Sequence, residues 1–176
     1  MGKRSAHFRR RPQDAYDTPA EAVAPLLKHL PPWAPYWEPC AGEGALVRHL
    51  DRECVVATDI RPRSEGIYRL DGLSVPRAEI DALPIRYIIT NPPWTRPILH
   101  AMIERFSDVR PTWLLFDADW VHTAQAAPFW WRLRRVVSVG RGRWIAGSQH
   151  TGKDNAAWHL FDANGHGPAE IYGKQK

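Results

Sequence analysis

The sequence predicts an α/β fold in which a mostly parallel sheet is covered by helices on both faces. Two observations support this prediction. Short apolar runs of strand length alternate with segments in which apolar residues recur at helical spacing. Several of the runs, such as 113–116, are continuously apolar, without polar alternation, which is typical of strands buried on both faces of a sheet. At 176 residues, the chain is long enough for one such domain.

The first half of the chain is predicted to contain two helices and three strands. The first helix begins at Thr18-Pro19, with Thr18 or Asp17 as N-cap and Pro19 at the first helical position. A short strand closes at Trp37-Glu38, and a second helix begins at Ala45 after a glycine-bearing turn. The next two strands cover 54–58 and, more weakly, 67–70.

Four strands and two helices are predicted for the second half. The strands cover 85–90, 113–116, 135–139 and 156–161, and the helices cover 97–106 and 129–133. No helix separates the last two strands, so we expect an antiparallel hairpin at one edge of a seven-stranded sheet.

The net charge of +5 is concentrated at the start of the chain. Five basic residues precede the first acidic residue, Asp14, and the remaining basic and acidic residues balance at 19 each. The five are Lys3, Arg4, Arg9, Arg10 and Arg11. We expect residues 1–14 to form a basic flexible arm and residues 15–176 a single domain. Such an arm is a common footprint of polyanion binding, although a solvated terminus is the alternative.

Several classes of protein are not supported by the sequence. The two cysteines form no disulfide framework, and neither they nor the histidines show the spacing of metal ligands. No signal peptide or apolar run of membrane-spanning length is recognisable. These features predict a cytoplasmic protein without a metal ion and without a membrane partner.

The most informative motif is Asn91-Pro92-Pro93-Trp94, which follows the strand at 85–90. Two consecutive prolines fix φ and remove two backbone donors, so carbonyl oxygens remain free to accept hydrogen bonds from a ligand. Trp94 adds a flat surface for stacking. The motif therefore indicates a site for a planar substrate that carries an amine.

A second set of residues follows the preceding strands and indicates a cofactor site. Gly42-Glu43-Gly44 allows close approach of a ligand to the backbone, and Asp59 follows 17 residues after Gly42, a spacing suited to ribose hydroxyls. Asp71 could accept from an exocyclic amine. Val47 replaces the third glycine of the dinucleotide fingerprint, which favours a nucleoside cofactor without pyrophosphate.

Together these residues resemble motifs of the S-adenosylmethionine-dependent amino-methyltransferases. Residues 38–44, Asp59 and Asn91-Pro92-Pro93-Trp94 resemble motifs I, II and IV, and their order is similar to the gamma class of adenine-N6 DNA methyltransferases. The resemblance covers residues 16–161 and implies a Rossmann-like class I methyltransferase fold, S-adenosylmethionine as cofactor and DNA as the main partner. Only about 15 residues follow the last predicted strand, so a separate target-recognition domain is not expected.

The resemblance also implies roles for individual residues. Thr18 and Pro19 would flank the cofactor, Glu38 and the 39–44 backbone would hold its methionine part, and Asp59 its ribose. Asp71 would bind the adenine amine, with Asp81 as a competitor. The implied cofactor residues are Thr18, Pro19, Glu38, Pro39, Cys40, Ala41, Gly42, Gly44, Asp59, Ile60, Asp71 and Asn91.

The expected catalytic residues are Asn91, Pro92, Pro93 and Trp94. Asn91 and the Pro92 carbonyl would each accept one N–H of an adenine amine, and Trp94 would stack on a base flipped out of the duplex. Positioning accounts for most of the catalysis, and no carboxylate base is required.

The expected nucleic-acid contacts lie on the arm and on the connection between the last two strands. They are Arg9, Arg10, Arg11, Arg141, Arg143, Trp144 and Lys153. Nearby Arg132, Arg134 and Arg135 extend a second basic stretch that could face phosphate. RNA adenine or a protein glutamine amide is an alternative substrate, and a non-catalytic binding module is an alternative of another class. A small enzyme of this type would suit a phage or restriction-modification setting.

Overall fold

A computed structural model describes residues 16–144 and 151–174 of the chain. Its centre is a sheet of eight strands in the order β3-β2-β1-β4-β5-β7-β6-β8. The strands are β1 Tyr36–Glu38, β2 Cys54–Asp59, β3 Tyr68–Arg69, β4 Tyr87–Thr90, β5 Thr112–Asp117, β6 Leu133–Gly140, β7 Ala156–Phe161 and β8 Glu170–Tyr172. The predicted arm, including Arg9, Arg10 and Arg11, lies outside the described residues.

The predicted α/β fold with a mostly parallel sheet is confirmed. Strands β3, β2, β1, β4 and β5 pair in parallel, and β7 is antiparallel to both β5 and β6. The expected count of seven strands was one too low, because β8 pairs in parallel with β6. The antiparallel pair therefore lies inside the sheet rather than at its edge. At three residues, β8 is too short to produce a recognisable sequence pattern.

Four α-helices accompany the sheet: α1 Ala20–Leu27, α2 Ala45–His49, α3 Arg77–Ala82 and α4 Arg96–Ser107. Helix α3 was not predicted. The segment expected to be a helix at 129–133 is the end of a 3₁₀ segment, Ala124–Arg132. The N-cap of α1 is Pro19, one residue after Thr18 and two after Asp17, which were the expected caps, and the Thr18 hydroxyl instead accepts a hydrogen bond from Asn91.

Alternating residues of the central strands face two separate layers of helices, as a sheet buried on both sides requires. On one side, Ile89 and Trp158 pack with Val23 and Leu26 of α1. The Trp158 indole also donates to the Ala22 carbonyl at 2.8 Å, which fixes α1 against the sheet. On the other side, Ile88 packs with residues of α3 and α4. The helix α1 and the residues before it are thus held close to the strand ends.

A buried histidine lies within an aromatic cluster on the α4 side of the sheet. The His159 ring on β7 stacks on Phe116, with ring centroids 3.9 Å apart, and meets Trp120 in a T-shaped arrangement. Burial lowers the pKa of His159 from its ordinary value of 6.5 to about 3. The folded protein therefore holds this ring neutral over the pH range in which a solvated histidine gains a proton.

This burial predicts a pH-dependent stability. Between pH 6.5 and about 3 the unfolded chain binds a proton at residue 159 that the folded chain does not, so stability is lost as the pH falls through this range. One proton steepens the pH dependence of the free energy of unfolding by up to about 1.4 kcal/mol per pH unit. Urea unfolding at a series of pH values should show a shallower dependence for His159→Gln than for the native protein.

His122→Gln is the matched control, because His122 is exposed and its side chain forms no hydrogen bond or ion pair among the described residues. This variant should retain the native slope. Equal slopes for the native protein and His159→Gln would show that His159 is not the source of the effect.

Candidate active site

The glycine turn and Asp59 meet at the carboxyl edge of the sheet. The Gly42 backbone N–H donates to Asp59 Oδ2 at 2.8 Å, and the Arg61 N–H donates to Oδ1 at 2.6 Å. The turn is tied to β2 a second time, because the Ala41 N–H donates to the Thr58 carbonyl at 2.9 Å. The predicted spacing between Gly42 and Asp59 therefore corresponds to direct contact. Ile60, which follows Asp59, is exposed beside this contact.

Two structural features require glycine at position 42. Its φ of 58° lies in the left-handed region, and a Cβ atom there would come within 2.8 Å of Arg63 Nη2. The Arg63 backbone N–H also donates to the Gly42 carbonyl at 2.9 Å. Gly44, with φ of 80°, begins α2 from the same left-handed region. The backbone of the glycine turn thus lies directly beside the Arg63 side chain.

The turn is surrounded by carboxyl groups. Glu38 is only 1% exposed, and its Oε2 atom accepts no hydrogen bond from any described residue. Burial raises the pKa of Glu38 well above its ordinary value, and the nearby Asp59 carboxylate raises it further. Burial likewise raises the pKa of the Cys40 thiol, with further increases from Asp59, Glu38 and Asp71. A cation placed here would be stabilised by several carboxylates.

The structure favours Asp71 over Asp81 as a member of this group. A Cβ atom on Gly72, the next residue, would lie 2.9 Å from Pro39 Cβ, so Asp71 lies beside the glycine turn. Asp81 instead pairs with Arg110 at 2.7 Å, close to the amino end of β5. Asp81 therefore lies near the amino edge of the sheet, opposite the edge that carries the glycine turn. Asp71 Oδ1 already accepts from the Leu73 N–H at 3.0 Å.

The Asn91 side chain is oriented by residues that precede α1. Its Nδ2 atom donates to the Tyr16 carbonyl at 3.3 Å and to the Thr18 hydroxyl at 3.2 Å. A carbonyl can only accept, so the Tyr16 contact determines which end of the amide is the NH₂ group. Asn91 Oδ1 therefore faces away from residues 16 and 18. Thr18, which holds the amide from one side, is buried, with 4% of the residue exposed.

The remaining residues of the motif are held firmly. Pro92 is buried and Pro93 partly buried. The Trp94 indole N–H donates to the Leu115 carbonyl of β5 at 3.2 Å, and its ring forms a T-shaped pair with Trp144 at 6.3 Å. Trp94 is thus a partly buried side chain fixed against β5. The structure gives it a defined orientation next to Asn91.

The predicted nucleic-acid residues of the β6–β7 connection occupy different environments. Arg141, Arg143 and Lys153 are exposed, and the Arg143 backbone N–H donates to Glu21 on α1 at 2.8 Å. Trp144 is partly buried and packs against Gly142 and Gly152, whose backbones are joined by a hydrogen bond of 2.7 Å. Residues 145–150 of this connection lie outside the described residues.

The second basic stretch is largely internal, which corrects the expectation that Arg132, Arg134 and Arg135 face phosphate. Arg132 is 7% exposed and donates to Ser107 and Asp108, and Arg134 donates to the carbonyls of Trp131 and Gly165. Arg135 forms an ion pair with Glu170 at 2.7 Å. These guanidinium groups are neutralised or bound by the protein's own acceptors.

The contacts made by residues 16–18 and Arg63 were not predicted from the sequence. Asp17 was expected only as a helix cap, yet its carboxylate accepts from Arg63 Nη2 at 2.6 Å. Tyr16, whose carbonyl accepts from Asn91, was assigned no function from the sequence. No local pattern could reveal these contacts, because the partners are separated by 46 and 75 residues.

Two kinds of feature are absent from residues 16–144 and 151–174. None of the helices there is both long enough and apolar enough to cross a membrane. No group of three potential metal-binding side chains occurs in the same ranges.

The chain is similar to known proteins in its three-dimensional structure alone. No protein-family model and no curated sequence matches the chain. Among solved structures, the modification subunit of a type I restriction enzyme from Vibrio vulnificus gives a TM-score of 0.57 at 12% identity, over 88% of this chain and 45% of that one. The 23S rRNA methyltransferase ErmE gives 0.54 at 17% identity, over 81% of this chain and 66% of that one.

A protein from Listeria monocytogenes, described as a class I S-adenosylmethionine-dependent methyltransferase, gives a TM-score of 0.51 at 10% identity. The match covers 97% of this chain and 66% of that protein. The chain thus spans less than two thirds of the length of each of these three proteins. At such identities the similarity establishes architecture alone: the chain has the Rossmann-like fold of the class I methyltransferases.

Proposed function

We propose that the protein transfers a methyl group from S-adenosylmethionine to the exocyclic N6 amine of adenine in DNA. The observation that carries this proposal is the orientation of the Asn91 amide. Its NH₂ group is held by Tyr16 and Thr18, which leaves Oδ1 as an acceptor at the carboxyl end of β4. The glycine turn and Asp59 lie at the same edge of the sheet. An amine acceptor thus lies beside a site suited to a nucleoside.

The residues around the turn fit the charge of the proposed cofactor. S-adenosylmethionine carries an ammonium and a sulfonium, and it would supply a methyl group activated by the positive sulfur. Glu38, whose Oε2 is buried without a partner in the described residues, would accept from the ammonium. Asp59 would accept from ribose hydroxyls with its remaining lone pairs, and Asp71 from the adenine amine. Thr18 and Pro19 would flank the group from the α1 side.

In the proposed reaction, the main role of the protein is to position the substrate amine. An aromatic amine is a weak nucleophile because its lone pair is delocalised into the ring. Asn91 Oδ1 and the Pro92 carbonyl would each accept one N–H, which favours a tetrahedral nitrogen with its lone pair directed at the methyl donor. After transfer, the nitrogen carries a positive charge and loses a proton to water. The Trp94 ring, fixed by Leu115, would provide the stacking surface.

The basic residues near the motif favour nucleic acid over protein as the proposed substrate, and the order of the motifs favours DNA. Exposed Arg141, Arg143 and Lys153 lie on the β6–β7 connection, whose Trp144 contacts Trp94. The five basic residues before Asp14 add a further polyanion-binding segment. An amide or amine on RNA or on protein would satisfy the same two acceptors, so the substrate class is decided by experiment.

The direct test offers the protein S-adenosylmethionine labelled on its methyl group together with DNA, RNA and protein in parallel. We expect label in DNA, recovered as N6-methyladenine after digestion to nucleosides. Label in RNA or protein alone would replace the proposed substrate by one of those classes. The absence of label in all three, with cofactor binding retained, would favour a non-catalytic binding module.

Removing the Asn91 acceptor should abolish most of the transfer. Loss of one oriented hydrogen-bond partner in an active site costs roughly 100-fold to 1000-fold in kcat, so Asn91→Ala should fall in this range while its cofactor affinity changes little. Thr18→Val removes only one of the two groups that hold the amide, and we expect a loss of about tenfold. Single-turnover rates, with cofactor affinity from calorimetry, give both quantities.

If Asn91→Ala lost more cofactor affinity than transfer rate, Asn91 would be a structural residue and not the acceptor for the substrate amine. Thr95→Val is a control for Thr18→Val, since Thr95 is exposed and follows the same motif. It should leave the rate unchanged.

Glu38→Gln should affect stability and cofactor binding in opposite directions. The folded pKa of Glu38 is raised, so the native protein loses stability as the pH rises above about 4.5, the ordinary value, and the Gln variant does not. The same variant loses a charged acceptor for the ammonium, which should weaken binding of S-adenosylhomocysteine by at least about tenfold. Thermal unfolding at pH 5 and pH 8, with calorimetry, measures both effects.

Glu53→Gln is the control for this variant, because Glu53 is exposed and its side chain forms no hydrogen bond or ion pair in the described segments. It should change neither quantity. Unaltered cofactor affinity in Glu38→Gln would remove Glu38 from the cofactor site, whatever its effect on stability.

Deleting residues 1–12 should weaken DNA binding and reduce its salt dependence. Every phosphate interaction that the deletion removes should lower the slope of log K against log salt by about 0.9. Fluorescence anisotropy with a labelled duplex between low and moderate salt provides the slopes. An unchanged slope would mean that the arm does not touch DNA. Replacing its five basic residues by Gln separates the effect of charge from that of length.

A further inference from the structure

We infer that the ion pair between Asp17 and Arg63 is a positioning device for Asn91, which fastens residues 16–18 to the glycine turn so that the amide is held for reaction. This inference rests on the proposed function, because it assigns Asn91 the role of amine acceptor. We call residues 16–18 the strap. The strap connects two halves of the site that are remote in sequence.

The strap holds Asn91 from both sides of Asp17. The Tyr16 carbonyl and the Thr18 hydroxyl both accept from Asn91 Nδ2, at 3.3 Å and 3.2 Å. Between them, the Asp17 carboxylate accepts from Arg63 Nη2 at 2.6 Å. The residues on either side of Asp17 thus face Asn91, while Asp17 itself faces the cofactor side. Any movement of Asp17 would move both groups that hold the Asn91 amide.

Arg63 is in turn tied to the glycine turn. Its backbone N–H donates to the Gly42 carbonyl at 2.9 Å, and its Nη2 atom lies 2.8 Å from the position that a Cβ atom on residue 42 would take. Gly42 itself donates to Asp59 at 2.8 Å. A continuous series of interactions therefore runs from Asp59 through Gly42 and Arg63 to the strap and Asn91. Each interaction in the series is a hydrogen bond or an ion pair.

The exposure of the pair argues against a mainly stabilising role. The side chains of Arg63 and Asp17 are 41% and 32% exposed, and partly exposed ion pairs of this kind contribute little to global stability. The pair should therefore be removable without unfolding the protein. Its effect should appear in the orientation of Asn91, where displacements of about 1 Å can change a rate by up to about 100-fold.

A first experiment reads the orientation of Asn91 without any activity. In the ¹⁵N-labelled protein, the side-chain NH₂ signals of Asn91 are assigned by their loss in Asn91→Ala. We expect two well-separated, exchange-protected protons in the native protein, and a shift of both toward the values of a solvated amide in Arg63→Gln and Asp17→Asn. Unchanged signals in both variants would overturn the inference.

Arg61→Gln is the matched control. Arg61 lies in the same loop and is exposed, and its side chain forms no hydrogen bond or ion pair among the described residues. The variant loses the same charge as Arg63→Gln. The Asn91 signals and the rate should stay native in this variant. A response as large as that of Arg63→Gln would mean that loop charge, rather than the ion pair, is responsible.

A second experiment measures coupling in the transfer reaction. Arg63→Gln and Asp17→Asn should each lower kcat by about tenfold, and the double variant should be no slower than either single one, because the two residues act through one ion pair. Arg63→Lys keeps the charge and should recover part of the rate. Additive losses in the double variant would overturn the inference.

The two experiments separate failure of this inference from failure of the proposed function. A native protein that methylates none of DNA, RNA and protein contradicts the proposed function, while the Asn91 signals still decide whether the pair positions the amide. An active native protein whose Arg63→Gln variant keeps the native rate and the native Asn91 signals contradicts the inference alone.

Discussion

The parallel pairing of β1 with both β2 and β4 is the constraint on which the site depends. Because these three strands run in the same direction, the residues that follow them, the glycine turn, Asp59 and Asn91, meet at one edge of the sheet. The hydrogen bond from Gly42 to Asp59 then fixes the turn against β2 at 2.8 Å. The pairing of the strands alone thus brings together residues that are tens of positions apart in the sequence.

The carboxyl groups of Glu38 and Asp59, at the carboxyl edge of the sheet, lower the stability of the folded protein. A buried Glu38 whose Oε2 lacks a partner in the described residues, close to Asp59, is an arrangement that folding alone would not favour. A ligand with a positive charge would relieve it. His159 differs in charge: burial lowers its pKa, so its ring is neutral and no unbalanced charge lies within the aromatic cluster.

Much of the fold and part of the site could be predicted because their signals are local. Apolar runs identified seven of the eight strands, and the glycine turn, Asp59 and Asn91 were recognisable from residue type and position after a strand. Contacts between distant residues gave no such signal. Whether an arginine faces solvent or binds a carbonyl depends on residues that are distant in the sequence. The sequence therefore could not show that Arg132 is buried while Arg141 is exposed. The ion pair of Asp17 with Arg63 escaped prediction for the same reason.

The proposed reaction requires that Asn91 present Oδ1, and not its NH₂ group, to the substrate amine. A crystal structure with S-adenosylhomocysteine and an oligonucleotide whose target adenine is flipped out would show this contact. We expect Asn91 Oδ1 and the Pro92 carbonyl oxygen each about 2.9 Å from N6, with Nδ2 still on Tyr16 and Thr18. A base bound elsewhere, or an amide turned so that Nδ2 faces the base, would contradict it.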